Sequence, residues 1–209
     1  MNATIRSATA TDGATVAEIY YQAYQNLAWF QHVNAEADPE VVKTFVQSIV
    51  LAIQKNNGVV LVAEKDGQAV GCLMGWERAS DAAVEANPAF PNPYYDPSVT
   101  VNIRGRVLSR WIDQQADIRK FSGQIGTQQG HFFYVDSVAV LPQYQRHGVG
   151  RLLLQSAVDR AQTSGLAIGL ASPPEAVPFV EKLSLQQTGT LIASRDDNRF
   201  QLIPMALQG

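Results

Sequence analysis

The sequence predicts a mixed α/β (α+β) layer, one central β-sheet of about seven strands flanked by helices on both faces. Three observations carry that expectation. Two β-rich runs, Val59 to Glu64 and Ala69 to Trp76, flank the turn Lys65-Asp66-Gly67-Gln68 and read as an antiparallel hairpin. The run FFYVDSVAVL, Phe132 to Leu141, is almost continuously apolar, as a central strand covered on both faces must be. Around these runs lie segments whose apolar residues recur at helical spacing.

Taken in order, Thr4-Ile5-Arg6 alternates as a strand, and Thr9 to Asp12 supplies cap residues ahead of the stripe Val16, Ile19, Tyr20 and Ala23. A second helix fits residues 40 to 54, with Asp38 as cap, Pro39 in the first turn and Val42, Phe45, Val46, Ile49 and Ile53 inward. Asn56-Asn57-Gly58 ends it. After the hairpin, residues 79 to 98 change character: Pro88, Pro91, Pro93 and Pro97 stand among Phe90, Tyr94 and Tyr95, which excludes regular helix and central strand and reads as an ordered loop or lid. A helix follows from Val99 or Val101 to Lys120, with Val107, Leu108, Trp111, Ile112 and Ile118 on one face, then a Gly/Gln-rich connector to Gly130. Pro142 ends the central strand. Residues 149 to 163 form a helix with Val149, Leu152, Leu153, Ala157 and Ala161 inward, Leu166 to Ala171 a short buried strand, and Glu175 to Leu183 a further helix. The last two strands fit Gln186 to Ala193 and Phe200 to Ile203. The expected organisation is one domain, 1–209, with an insertion at about 79–130 that forms part of a pocket or lid.

Composition narrows the function classes. The chain has 209 residues, 46% hydrophobic and 17% charged, with net charge -3, enough apolar material for a core and too little charge for disorder. Sixteen Lys and Arg against 19 Asp and Glu exclude a surface-wide nucleic-acid binder. No run reaches the roughly 18 apolar residues of a membrane span. The lone Cys72 leaves no disulfide framework and no cysteine-based zinc site, and His32, His131 and His147 lack ligand spacing, so no metal is expected. The first residues, MNATIRSATATDGA, lack the apolar core of a secretory signal, and a cytoplasmic location is expected.

The segment that carries chemistry runs from Val138 to Arg151. A buried strand stops and the chain turns straight into an amphipathic helix, whose N-terminus presents unpaired N–H groups and a partial positive potential. Gly148 and Gly150 remove Cβ atoms from the approach, and Arg146 and Arg151 flank it as charge-assisted donors, a combination suited to a diphosphate. A Walker A loop is excluded because no Gly-Lys-Ser/Thr follows. A dinucleotide fingerprint lacks its third glycine and its acidic residue.

Gln145, Gly148 and Gly150 match the Gln/Arg-x-x-Gly-x-Gly/Ala signature of the GNAT superfamily of N-acetyltransferases, and a strand ending in a turn, here at Pro142, usually precedes it. The order of elements resembles the GNAT fold over nearly the whole chain. The resemblance implies transfer of an acetyl group from acetyl-CoA to an amine of a small molecule by direct attack in a ternary complex. It also implies that residues 146 to 151 (Arg146, His147, Gly148, Val149, Gly150, Arg151) hold the pyrophosphate, and that Val138, Ala139 and Val140 pair with the pantetheine arm like an extra strand. A backbone N–H near Val138 would polarise the thioester carbonyl.

For the base, Asp136 is the best-placed carboxylate, and strict alternation puts it on one sheet face with Tyr134, Val138 and Val140. It serves either as that base or as an architectural hydrogen-bonding group. Where relatives carry a tyrosine as the acid, this chain has Val180, so Ser172 is the nearest candidate donor. Val180 also keeps open a second class, a coenzyme-A-binding regulatory or interaction module with weak or lost catalysis. Tyr24, Trp29, Tyr94 and Tyr134 are expected to line an aromatic acceptor pocket, and a homodimer is the expected partner beyond the small amine.

Overall fold

The computed structural model describes residues 3–35, 37–79, 131–189, 192–193 and 201–207. The proline-rich loop, the helix and the connector expected over residues 80 to 130 lie outside the described residues, and Tyr94 with them. The elements are β1 (Thr4–Ser7), α1 (Gly13–Tyr24), α2 (Ala28–Val33), α3 (Pro39–Lys55), β2 (Val59–Lys65), β3 (Gln68–Ala79), β4 (His131–Val140), α4 (Val149–Thr163), β5 (Ala167–Ser172), α5 (Val177–Glu181), β6 (Gln186–Gln187), β7 (Ile192–Ala193) and β8 (Gln201–Leu207).

The strands lie in the order β1-β2-β3-β4-β5-β8-β6, with β7 paired to β8. Every described pairing is antiparallel except β4 with β5, which run parallel because α4 carries the chain back between them. One sheet face packs against α1, α2 and α3 through Val16, Tyr20, Phe45, Ile49, Cys72 and Tyr134 among others. The other packs against α4 and α5 through Leu61, Leu73, Phe133, Leu153 and Leu183. A sheet covered on both faces accounts for the apolar run in β4.

Local chemistry fixes the turns. The hairpin between β2 and β3 turns on Asp66 and Gly67, both with positive φ (52° and 76°), the handedness that matches the twist of paired strands. α3 starts where the sequence says it should: the Asp38 carboxylate accepts from the Glu40 N–H at 2.8 Å and Pro39 opens the helix.

Four expectations are corrected. Residues 28 to 33, between the two helices expected at the N-terminus, form a further helix with His32 in its last turn. β3 runs three residues past Trp76, which brings Arg78 into the sheet, 7% exposed. In α4 the inward stripe is Val149, Leu153, Leu154, Ala157, Val158 and Ala161, while Leu152 is 42% exposed, because the helical period places it a full residue off the packed face. β8 extends to Leu207 and lies between β5 and β6.

The N-terminal strand is held by charge. The Arg6 guanidinium forks onto Asp12 at 2.8 and 2.9 Å and places its Nε 3.0 Å from Glu64 on β2. Asp12 also accepts from the Thr9 N–H and hydroxyl, at 2.6 and 2.7 Å, closing the turn that leads into α1. Arg6 holds the Asp12 carboxyl far below the usual carboxylate range. A depressed folded-state value stabilises the fold above the unfolded pKa and is lost as pH falls toward the folded one. Asp12→Asn should therefore cost about 1–2 kcal/mol at pH 7, and its difference from the parent should shrink once pH falls below about 4. Urea denaturation at pH 7 and pH 3 checks this, and a difference that does not depend on pH would refute it.

Candidate active site

The site begins with a register slip. Ser137 pairs with Met74 and Val135 with Gly75, so Asp136 has no opposite residue on β3. This is a β-bulge, and it turns the strand's alternation by one residue. Phe132 and Tyr134 face α1, Phe133 and Val135 face α4, but beyond the bulge Ala139 faces α1 while Val138 and Val140 face α4. The expected grouping of Asp136 with Val138 and Val140 is therefore wrong for those two residues: Asp136 sits on the α1 side, where its charge acts on Tyr20, Tyr24 and Tyr134. The partner strand has a glycine at this point. A Cβ on Gly75 would lie 2.7 Å from the Tyr134 carbonyl and 2.8 Å from the Phe133 ring.

Beyond the bulge, β4 and β5 part. Their parallel pairing stops at Val135 with Leu170, while β5 goes on to pair Ala171 and Ser172 with β8. The Leu141 N–H donates to Val70 of β3 at 3.0 Å, which sets the phase: Ala139 turns its peptide groups toward β3, and Val138 and Val140 turn theirs toward the gap. Among the described residues, two side chains reach those gap-facing carbonyls. The Tyr24 hydroxyl donates to the Val138 carbonyl at 2.8 Å, and Gln145 Nε2 donates to the Val140 carbonyl at 3.0 Å. The Val138 and Val140 N–H groups remain turned into the gap, an edge open to an extended ligand.

The gap runs into the N-terminus of α4. Arg146 (φ +66°) and Gly148 (φ +85°) are both left-handed, curling the loop between strand and helix. His147 is held within the loop, its Nδ1 donating to the Gln145 carbonyl at 2.7 Å. Gly148 is the N-cap and brings no side chain to the helix, whose first backbone bond runs from Leu152 N–H to the Gly148 carbonyl at 3.0 Å. The N–H groups of Val149, Gly150 and Arg151 thus have no partner within the helix. Arg146, His147 and Arg151 are exposed beside them, and Val149 is buried as the helix's first inward anchor.

On the α1 side of the bulge lies an aromatic cluster. Tyr24 packs edge-on to Tyr20 (4.6 Å between centroids) and against Trp29 (5.5 Å). Trp76 and Tyr134 meet at 5.2 Å, and the Arg78 guanidinium lies over the Tyr134 ring at 5.1 Å. Tyr20, Phe30, Trp76 and Tyr134 are core residues, at most 5% exposed, whereas Tyr24 and Trp29 are half-buried. Burial pushes the Tyr24 and Tyr134 phenols well above their ordinary value, with the Asp136 charge adding to it in both, while Arg78 pulls Tyr134 back. Burial also pushes the Cys72 thiol up to about 12. Ser137, beside Asp136, is 7% exposed, and its hydroxyl has no hydrogen-bond partner among the described residues.

Two expected positions look elsewhere. Ser172 is 1% exposed and its hydroxyl donates to the Pro173 carbonyl at 3.1 Å. Val180 is 3% exposed in the core against α4. Sequence reasoning missed Arg78 and Ser137. Arg78 was concealed by ending the strand at Trp76, and the trace of the bulge was a glycine, Gly75, inside an otherwise apolar strand. Among the described residues, no three His, Cys, Asp or Glu side chains cluster as metal ligands would.

The two loop glycines differ in what holds them. A Cβ on Gly148 meets nothing within 4 Å, yet its φ is left-handed, whereas a Cβ on Gly150 makes ordinary contacts of 3.6 Å to Phe179 and 3.7 Å to Val140. Gly148→Ala should destabilise by about 1–2 kcal/mol through backbone strain, and Gly150→Ala should be neutral or stabilise by up to about 1 kcal/mol through helix propensity. Thermal unfolding of the two variants checks the contrast; equal losses would contradict it.

Comparison with known proteins agrees with this geometry. A family model described as "Acetyltransferase (GNAT) family" matches residues 21–184. No curated protein sequence matches the chain. Among solved structures, it resembles "histone acetyltransferase HPA2 and related acetyltransferase" of Corynebacterium glutamicum, with 20% identity, TM-score 0.64, and coverage of 100% of this chain and 97% of the other. It also resembles a polyamine N-acetyltransferase of Drosophila melanogaster that forms N-acetylagmatine (16% identity, TM-score 0.61, 99% and 100% coverage). A third, the putative acetyltransferase yncA of Salmonella typhimurium with its cofactor acetyl-CoA, shows 20% identity, TM-score 0.58 and coverage of 99% and 93%. With its splayed β4–β5 pair feeding a glycine-flanked helix start, and a family match that spans the sheet from α1 to α5, the chain belongs to the GNAT family of acetyltransferases.

Proposed function

We propose that the protein transfers the acetyl group of acetyl-CoA to the amine of a small acceptor, with both substrates bound at once. The observation that carries this reading is the open β4 edge leading directly to the unpaired N–H groups of α4. That arrangement fits a long ligand with a diphosphate at one end and an extended amide-bearing arm at the other. Bound acetyl-CoA supplies a thioester whose acyl carbon accepts an amine nucleophile.

The chain's own residues do the rest. Arg146 and Arg151, with the N–H groups of Val149 and Gly150, hold the diphosphate, and the two left-handed residues let the loop curl around it. Ala139 keeps β4 zipped to β3, so that Val138 and Val140 offer their peptide groups to the arm. The Val138 N–H donates to the acyl oxygen, stabilising the negative charge that develops there. Asp136 takes the proton of the attacking amine. Its place at the bulge brings it off the ladder and toward the half-buried Tyr24 and Trp29, which with Tyr134 behind them form the described part of the acceptor wall. An acidic group among aromatic rings favours a cationic or amine-bearing small molecule, and the Drosophila relative acts on a compound of that kind.

Calorimetry should show saturable binding of acetyl-CoA, weakened about tenfold or more by Arg151→Ala, the loss of roughly one 1.4 kcal/mol charge-assisted contact at the loop. Absence of acetyl-CoA binding by the parent would sink the reading. Asp136→Asn should lower kcat about 10²- to 10⁴-fold in a thiol-release assay over an amine panel while leaving acetyl-CoA affinity in place. An unchanged kcat would reduce Asp136 to an architectural residue, and binding without thiol release by the parent over the whole panel would point to a coenzyme-A-binding module instead.

A further inference from the structure

We propose that the Tyr24 hydroxyl gives the departing thiolate its proton, a part for which Val180 has no group. This rests on the acetyl-transfer reading above and adds a catalytic residue to it. α1 ends at Tyr24, directly over the parted strands, and the hydroxyl donates to the Val138 carbonyl at 2.8 Å. In an extended residue the N–H and C=O leave on the same side of the strand. An acyl oxygen held by the Val138 N–H therefore lies beside the tyrosine oxygen, and so does the sulfur bonded to the same carbon. Among the described residues the other side chain that reaches this edge, Gln145, is an amide and has no acidic proton to give. Ser172 lies on β5, 1% exposed, with its hydroxyl on the adjacent Pro173 carbonyl and not at the Val138 edge.

Tyr24 sits in a closed aromatic setting. Tyr20, Trp29 and Phe30 pack around the ring, and Cys72, neutral and buried, lies behind it. Burial keeps the phenol protonated throughout the neutral range, and Asp136 is near enough for its charge to bear on it. The proton path closes within the chain. The amine nitrogen bonds to the acyl carbon, the carbon–sulfur bond breaks with its electron pair on sulfur, and Tyr24 passes its proton to that sulfur. Asp136 receives the proton shed by the nitrogen and returns it to the tyrosine oxygen. Both residues end as they began, and one proton has moved from amine to thiol.

Tyr24→Phe removes only the hydroxyl. Its kcat with acetyl-CoA and an active amine should fall about 10²-fold, with acetyl-CoA affinity by calorimetry unchanged. The deficit should shrink when the donor is S-phenyl thioacetate, whose more acidic thiol leaves with less help. Wild-type kcat in Tyr24→Phe overturns the assignment; so does an equal deficit with both donors, or a loss of acetyl-CoA affinity that accounts for it, because either means that the hydroxyl only shapes the Val138 edge. If Tyr24→Phe does not fold, 3,5-difluorotyrosine at position 24 keeps the shape and acidifies the phenol. At neutral pH kcat should then rise, because the more acidic phenol donates more readily, and an unmoved or lower kcat overturns the proposal. A parent protein that releases no thiol defeats the acetyl-transfer reading itself, whereas an active parent with an indifferent Tyr24→Phe defeats only the role of Tyr24.

Discussion

One register slip in β4 governs the site. Because Asp136 has no opposite number on β3, the strand's side chains change faces half-way along it and its peptide groups change direction with them. The same bend lets β4 leave β5 after Val135, opening a sheet that is otherwise closed to its neighbours. A carboxylate on one face, an open hydrogen-bonding edge and a helix start at the end of that edge all follow from a single inserted residue. Gly75 makes it feasible, since any larger residue would collide with the Tyr134 carbonyl on the bulged strand.

How much of this was legible in the sequence depended on whether the signal was local. The Asp66-Gly67 hairpin, the Asp38-Pro39 helix start and the Gly148 N-cap are each set by a few adjacent residues, and the structure has each where the sequence places it. The face of Asp136 was not legible, because alternation counts residues on one strand while a bulge is a relation between two. Leu152 shows a milder case: a leucine-rich helix contains more apolar residues than its packed stripe can hold, and only the neighbours decide which one is left outside. Arg78 was hidden by its charge, which argues against a buried strand until the aromatic ring beneath it is known. Of the expected aromatic pocket, Tyr134 is core, 1% exposed behind the half-buried Tyr24 and Trp29, because a sheet covered on both faces buries what alternation alone cannot place.

Stability and function draw on different parts of the molecule. The α4 side of the sheet is a packed aliphatic layer with Val180 inside it, so the position where relatives carry a tyrosine has become part of the core. The α1 side holds tyrosines, an aspartate, a serine hydroxyl and an arginine among the aliphatic side chains, a costlier interior than the aliphatic layer opposite. The Arg6–Asp12–Glu64 clamp is remote from both, and its task is to hold β1 and the start of α1 in register with β2.

The one cysteine of the chain, Cys72, lies at the centre of the α1-side core, fully buried and with a thiol too basic to ionise near neutrality. An enzyme whose product is a free thiol works in the constant presence of a disulfide-exchange partner, and exchange requires an accessible thiolate. With its only sulfhydryl sealed in hydrocarbon, the folded protein cannot form a mixed disulfide with the coenzyme it releases, and its catalytic state is insulated from the oxidation of its own product.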